Sequence, residues 1–224
     1  NKYRRGPGGN RNSAIEASSG NYIAFLDSDD TWEPFKIFFQ YQLIRTGANF
    51  IASAFCYQED SIVIHPPLHL YGYKSVFYSH RPIGTSTVII SKTLLSTALF
   101  TDLWFCQDLV LWSTLLNKPH CVYASFDIPL VKYSRYSGRS SKASVFTLLA
   151  SYYAASSLSG FSNIEAVLLT LLYLSRGIYN KFLRMFFIKV NLCLERLFST
   201  LAWPLLFTKI YFYLFQSFSF DIVH

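Results

Sequence analysis

In the first forty-five residues, a short continuous apolar run lies between two segments of helical pattern, and three closely spaced acids follow the run. Residues 22–26, Tyr-Ile-Ala-Phe-Leu, form a short apolar run of the kind that becomes a buried strand. Residues 11–20 ahead of it predict a short helix of small residues that stops at Gly20 in the left-handed conformation. Residues 31–34, Thr-Trp-Glu-Pro, predict the start of a second helix. Its apolar side chains recur at helical spacing: Phe35, Phe38, Phe39 and Leu43. The pattern therefore predicts a unit of helix, strand, acidic loop and helix.

The acidic loop is the strongest candidate for chemistry in the chain. Asp27, Ser28, Asp29 and Asp30 directly follow the predicted strand, and ligands of open α/β sheets bind at the carboxyl ends of strands. Carboxylates suit a hard divalent cation that keeps other positions for substrate phosphates. The alternative is an acidic turn that caps the following helix, because Asp and Ser are favoured at helix N-termini.

The flanking residues extend this loop into a longer motif. The run from Arg11 to Lys36 resembles the nucleotide-sugar-binding half of family 2 glycosyltransferases, which carry "ARN.GI..A.GEYIAFLDSDD.W.P.K". The resemblance implies a GT-A fold: an α/β architecture with a doubly wound mixed sheet. It also implies Mn²⁺ or Mg²⁺ as cofactor, bound at the acidic motif and bridging the diphosphate of a nucleotide-sugar donor.

The resemblance assigns a role to each residue of this motif. Asp29 is the first choice as metal ligand, and Asp27 faces the ribose or the water shell of the metal. Asp30 serves as a third ligand or as the cap of the next helix. Arg11, together with Asp27 and Ser28, is expected to bind the donor, since a guanidinium suits a phosphate. A solvated surface arginine is the alternative for Arg11.

A second motif follows at residues 105–116, where the family carries "G(E/Q)D..LWL.LL" at the start of a helix. The matching Asp108 is implied to be the general base that takes the proton of the acceptor hydroxyl. Its alternative is a helix cap in front of an apolar helix face. Cys106 stands where relatives have glycine, so the local geometry is expected to differ. The resemblance also places Trp112 near the acceptor or sugar pocket.

Two further segments resemble the family. Residues 81–91 match its "P(I/P).TSTV.(I/V)S" strand, so Thr85 and Ser86 are expected to bind sugar hydroxyls, or else are ordinary strand residues. Residues 129–142 match the "PL..YR...GSLS.N" segment, in which Arg139 and Lys142 form a basic loop for the diphosphate. A solvated basic loop is the alternative.

The resemblance covers residues 6–142, and it predicts a partial catalytic domain over residues 1–142. Family members have an earlier strand like "VSVIIPTYN" and a second nucleotide-binding strand, which are expected to be missing ahead of Asn1. The predicted sheet therefore lacks its first strands. A fragment of a longer enzyme is one interpretation. The other is an inactive remnant or interaction module that no longer binds the donor nucleotide.

Residues 143–224 predict a helical, apolar and basic C-terminal region. Residues 143–164 carry no charge and predict a helix packed on the catalytic domain. Residues 176–197 place apolar side chains on one helical face, and the other face carries polar and charged residues: Arg176, Asn180, Arg184, Asn191 and Glu195. This pattern, with bases interspersed along the stretch, is typical of a helix lying on a membrane. The longest uncharged run beyond Glu165, residues 197–208, is shorter than the roughly 20 residues of a membrane span. A helix buried against the protein or a second copy is the alternative.

Composition agrees with these expectations. The net charge of +7 and the pI near 9.2 suit an anionic partner such as a nucleotide diphosphate or an anionic lipid. Nucleic acid is not expected, because the ordered carboxylates would repel its phosphates. The four cysteines and five histidines show no metal-ligand spacing.

The sequence thus predicts an inverting, metal-dependent glycosyltransferase that acts on a glycan or lipid-linked acceptor for bacterial surface polysaccharide. It is expected in the cytoplasm, peripheral to the inner face of the cell membrane, and its oligomeric state is left open.

Overall fold

The structure, a computed structural model, describes residues 6–58, 62–68, 70, 74–78, 82–96, 98–134 and 144–175. The strands of this part are β1 (Tyr22–Ala24), β2 (Thr31–Trp32), β3 (Phe50–Tyr57), β4 (Val63–Ile64), β5 (Ile89–Ser91) and β6 (Tyr123–Tyr133). The helices are α1 (Pro7–Ala17), α2 (Lys36–Arg45), α3 (Ser75–Tyr78), α4 (Lys92–Leu95), α5 (Gln107–Leu116) and α6 (Val145–Leu158). A 3₁₀ turn covers Thr85–Thr87, and residues 163–175 are helical.

The strands of the described part form a single mixed sheet in the order β1-β5-β3-β6-β2, with β4 paired to β3. The central pair β3 and β6 is parallel, whereas β1 and β3 both pair with β5 in the antiparallel sense. The mixed α/β class predicted from the sequence is confirmed. The apolar run after residue 21 forms only a three-residue strand, and the chain leaves the sheet two residues ahead of Asp27.

The core lies around the central strand. Residues 50–55 of β3 are all buried, as expected for a strand covered on both faces. Phe50 packs at 5.2 Å between ring centroids against Trp112 of α5. Phe100 packs at 6.0 Å against the same indole. Together these aromatic contacts hold α5, and with it the second motif, against the sheet.

Two details of the first unit differ from the prediction. Gly20 does not adopt the left-handed conformation, because α1 ends at Ala17 and an extended Ser18 turns the chain instead. The second helix begins at Lys36 and not at Thr31. Thr31–Trp32 instead pairs with β6, opposite Lys132 and Val131, so residues predicted to begin the helix extend the sheet.

The helix α2 turns its polar side inward. Lys36 and Gln40 are completely buried, whereas Phe35 is 67% exposed and Phe38 is 61% exposed. Helical spacing therefore predicted the helix correctly, but it does not show which face the sheet covers. The buried lysine contacts Trp32 and the buried glutamine contacts the 3₁₀ turn, as described below.

The helix predicted within residues 143–164 is present as α6. Tyr152 and Ala155 belong to the core, and the Tyr152 hydroxyl donates a hydrogen bond to the carbonyl oxygen of Phe77. By its internal contacts the chain divides into Asn1–Thr170 and Leu171–His224. The helix predicted for residues 176–197 lies outside the described residues. Among the helices that the structure does describe, none has the length and hydrophobicity needed to cross a membrane.

Candidate functional site

The first side of the site is an ion pair between α1 and the acidic loop. Arg11 Nη2 donates to both carboxylate oxygens of Asp27, at 2.6 and 2.8 Å. The helix that carries Arg11 is fixed by Asn12, whose side chain exchanges two hydrogen bonds of 2.9 Å with the backbone of Phe100. The guanidinium also lies 5.4 Å from the Phe100 ring centroid. The solvated-arginine alternative is therefore not what the structure shows, because the Arg11 side chain is only 17% exposed.

The second side is a buried carboxylate at the end of the loop. Asp30 accepts a 2.6 Å hydrogen bond from Ser86 Oγ and a longer one, 3.4 Å, from the backbone N–H of Ser134. Burial raises the pKa of Asp30 to about 6, although the Ser86 hydrogen bond opposes this shift. The same serine oxygen accepts from the backbone N–H of Asp27 at 3.1 Å. One serine therefore sets both ends of the acidic loop.

Asp29 and Ser28 lie between these two fixed positions. Ser28 is exposed and Asp29 is half-buried. Within the described ranges, no three His, Cys, Asp or Glu side chains are grouped so that they could hold a metal ion on their own. A site of one or two carboxylates fits Mg²⁺ chemistry nonetheless, since that ion usually keeps water and substrate phosphates among its ligands. The residues present fit such a shared ion.

The third side comes from the second motif. Asp108 lies in the first turn of α5, where its Oδ1 accepts from the backbone N–H of Leu109 at 2.9 Å. Its Oδ2 lies 3.4 Å from Thr85 Oγ1. Burial raises the pKa of Asp108, whereas the positive charge of Arg11 lowers it. Asp108 is not the N-cap of α5, because that position belongs to Cys106.

The 3₁₀ turn connects the two motifs. Thr85 faces Asp108 and Ser86 binds Asp30, so adjacent residues of one turn contact acids from both motifs. The backbone N–H of Ser86 donates to the Tyr133 hydroxyl at 2.9 Å. That hydroxyl would lie only 2.4 Å from a Cβ placed on Gly84, so the glycine permits the close approach of β6. The resemblance assigned acids of both motifs to one reaction, and in the structure one turn contacts Asp30 and Asp108.

The residues predicted to line the sugar, acceptor and diphosphate pockets differ in where they lie. Thr85 and Ser86 are buried and are hydrogen-bonded to the acids. Trp112 is completely buried, and its indole N–H donates to the carbonyl oxygen of Ile83 at 3.2 Å, so it belongs to the core. The predicted diphosphate loop with Arg139 and Lys142 lies outside the described residues.

Sequence reasoning missed the supporting residues Tyr133, Ser134 and Gln40. Tyr133 was part of a matched segment, but a tyrosine near the end of a strand carries no signal that its hydroxyl meets a turn 47 positions away. Gln40 resembles an ordinary polar helix residue. Only its burial, which depends on the tertiary fold, reveals that it supports the site.

Comparisons with known proteins identify similar sequences and a similar fold. Residues 1–104 match the model of the glycosyl transferase family 2. The chain is 35% identical over 123 residues to the Escherichia coli UDP-Glc:alpha-D-GlcNAc-diphosphoundecaprenol beta-1,3-glucosyltransferase WfaP, covering 53% of this chain and 47% of that protein. It is 30% identical to the putative teichuronic acid biosynthesis glycosyltransferase TuaG of Bacillus subtilis, covering 50% of this chain and 46% of TuaG.

The chain therefore spans about half the length of these curated relatives.

Among solved structures, residues 1–349 of TarS from S. aureus superpose on this chain with a TM-score of 0.51 at 15% identity. The match covers 78% of this chain and 52% of that one. At this identity, the likeness concerns the fold alone.

Proposed function

Residues 1–104 belong to the glycosyl transferase family 2, and we propose that the chain carries the catalytic site of an enzyme that transfers a sugar from a nucleotide diphosphate to an acceptor hydroxyl. The observation that carries the proposal is the 3₁₀ turn that joins the acidic loop to Asp108. A GT-A-like arrangement of the sheet is part of the proposal. The alternative of a non-catalytic interaction module is not favoured, because WfaP and TuaG are both named glycosyltransferases.

In the proposed reaction, Asp108 is the general base. The acceptor oxygen forms a bond to the anomeric carbon of the donor while the bond from that carbon to the diphosphate oxygen breaks. The hydroxyl proton passes to Asp108, and the electron pair of the broken bond leaves with the nucleotide diphosphate. Because the acceptor oxygen attacks from the side opposite the leaving group, the anomeric centre is inverted. A pKa raised by burial makes a carboxylate a better proton acceptor, provided that Arg11 keeps it ionised.

The donor would bind on the other side of the turn. Arg11 provides positive charge next to the acidic loop, and Asp27 orients its guanidinium. Asp29, with Asp27 and Ser28, would hold Mn²⁺ or Mg²⁺, and Asp30 stays in its serine-bonded position. When bound, the ion would neutralise charge on the leaving diphosphate.

The acceptor is proposed to be a lipid-linked or polymeric glycan of a bacterial surface polysaccharide. WfaP is named for a diphosphoundecaprenol-linked acceptor, and TuaG is named for teichuronic acid biosynthesis. A peripheral membrane contact would bring this chain to such an acceptor. The net charge of +7 supports attraction to an anionic leaflet.

The test is a transfer assay with the purified full chain. It uses Mn²⁺, radiolabelled UDP-glucose as the first donor, and a short-chain lipid diphosphate carrying N-acetylglucosamine as acceptor. Asp108→Asn is expected to lower kcat by about 10²- to 10⁴-fold, since it removes the base without changing side-chain size. Asp102→Asn is the matched control, because this exposed acid lies outside α5. Full activity in Asp108→Asn would contradict the assigned role.

Donor binding is tested separately by calorimetric titration of UDP and GDP with Mn²⁺. We expect saturable, metal-dependent heat that disappears in Asp29→Ala. Equal heat with and without metal, or equal heat in Asp29→Ala, would contradict the metal site. This measurement needs no acceptor, so it separates donor binding from the identity of the acceptor.

A further inference from the structure

The buried face of α2 contains a lysine that lacks a carboxylate partner within the described part of the chain. Lys36 is completely buried, and its Nζ donates to Gln40 Oε1 at 2.7 Å. The same nitrogen lies 4.2 Å from the centroid of the Trp32 ring. A buried ammonium without an acid is unfavourable, and burial lowers the pKa of Lys36 to about 7. The amine still carries N–H groups after it loses a proton, so the hydrogen bond to Gln40 is available in both forms.

Both neighbours of this lysine hold the 3₁₀ turn. Gln40 Nε2 donates to the carbonyl oxygen of Thr87 at 2.7 Å. Trp32 Nε1 donates to the carbonyl oxygen of Ser86 at 2.9 Å. Lys36 orients the Gln40 amide, because its donation fixes the amide oxygen on the lysine side and the amide nitrogen on the turn side.

The turn held in this way carries the contacts to the acids. Its outer side chains, Thr85 and Ser86, contact Asp108 and Asp30. Its inner carbonyl oxygens meet Trp32 and Gln40. A shift of the turn would therefore move the contacts of both motifs together.

We propose that Lys36 and Gln40 are positioning residues, which fix the 3₁₀ turn from below and so set the place of Asp108 relative to the acidic loop. The catalytic consequence of this inference rests on the proposed function. The hydrogen bonds that fix the turn are a property of the fold and do not depend on that function. We expect neither residue to touch the substrate, because both are completely buried.

The first readout needs no turnover. Amide hydrogen exchange is followed by NMR in the full chain and in Lys36→Met and Gln40→Met, with Arg45→Met as the control on the exposed end of the same helix. We expect exchange at the Ser86 and Thr87 amides to rise by about tenfold or more in the first two variants, by local opening. Exchange at Ala52 in β3 should not change.

The second readout is kinetic. With the transfer assay above, Lys36→Met and Gln40→Met are expected to lower kcat by about tenfold or more while the KM for the donor stays within about twofold, because small displacements at a base slow the chemical step. The double variant should lose no more than the worse single variant, since the two residues act through one turn.

The outcomes separate the possibilities. Equal acceleration of exchange at Ala52 and in the turn would show global destabilisation and would overturn the positioning role. Unchanged exchange in the turn would overturn it as well. A wild-type chain that transfers no sugar would contradict the proposed function alone, because the exchange result still decides whether Lys36 and Gln40 hold the turn.

Discussion

At the residue scale, the site is made of carboxylates whose environments differ. Asp27 is paired with a guanidinium, Asp30 is buried beside a serine, and Asp108 lies at a helix start with burial and Arg11 acting on it in opposite directions. Burial raises the pKa of both Asp30 and Asp108, but only at Asp108 does the Arg11 guanidinium oppose the rise. Shifted carboxylate pKa values are common at functional sites.

Asp30 is expected to make stability depend on pH. Folding raises its pKa from 3.8 to about 6, so the folded state binds the proton more tightly and stability falls as pH rises through this interval. A shift of this size corresponds to about 2–3 kcal/mol. Urea unfolding in metal-free buffer should therefore show Asp30→Asn gaining stability relative to wild type between about pH 4 and about pH 7.

The exposed Asp102→Asn is the control for this measurement. Its stability relative to wild type should stay constant over the same interval. A parallel pH dependence of Asp30→Asn and wild type would contradict the burial effect.

Cys106 is expected to carry backbone strain. It has φ of 60° in the left-handed region, which disfavours residues with a Cβ by about 1–2 kcal/mol. Cys106→Gly should therefore be more stable than Cys106→Ala, because both lose the sulfur but only glycine relieves the strain. Thermal unfolding of the two variants tests this order, and the reverse order would contradict it.

At the scale of elements, the sequence predicted the strand of the first motif and the helix of the second better than how these elements are arranged. The apolar run before Asp27 and the leucines after Asp108 are local signals, and both motifs lie where such signals predicted. The inward face of α2 was not predictable, because burial of Lys36 depends on Trp32 and Gln40 together with a turn distant in sequence. The pairing of Thr31–Trp32 with β6 is equally non-local.

Gly84 is expected to be intolerant of a side chain where the 3₁₀ turn meets β6. A Cβ there would lie 2.4 Å from the Tyr133 hydroxyl and 2.9 Å from the ring carbon that bears it. Overpacking of this kind costs about 1–3 kcal/mol. Gly84→Ala should lower the free energy of unfolding accordingly in urea, and Tyr133→Phe in the same chain should restore only part of it because the ring contact remains.

The exposed Gly20 provides the comparison, because its added Cβ would meet only one atom, at 3.3 Å. Gly20→Ala should leave the free energy of unfolding nearly unchanged. A loss as large as that of Gly84→Ala would mean that the Tyr133 contact is not the cause.

At the scale of the whole molecule, a basic chain carries an acidic site. The net charge is +7, yet acids of the two motifs meet at one turn. The proposed long-range attraction to an anionic surface and the proposed local binding of a cation would therefore be compatible.

The whole chain is expected to bind anionic vesicles in a salt-dependent manner. Basic residues near a membrane contribute about 1 kcal/mol each, and salt screens this attraction. Co-sedimentation with phosphatidylglycerol vesicles should be strong at low salt and weak at high salt, and phosphatidylcholine vesicles are the control. The double variant Arg184→Gln and Lys189→Gln, in the predicted amphipathic stretch, should weaken binding to the phosphatidylglycerol vesicles. Equal sedimentation with both lipids would contradict an electrostatic contact.

The hydrogen bond between Asp30 and Ser134 has a consequence for the emerging polypeptide. The two partners are 104 positions apart, so the ribosome has released the acidic loop long before it adds the strand that closes over it. During that interval the Asp30 carboxylate lacks the Ser134 N–H, and the backbone N–H of Ser86 lacks its acceptor, the Tyr133 hydroxyl. The site around the 3₁₀ turn is therefore completed late in biosynthesis, and a nascent chain that stalls before Tyr133 carries both sequence motifs without the contacts of Tyr133 and Ser134.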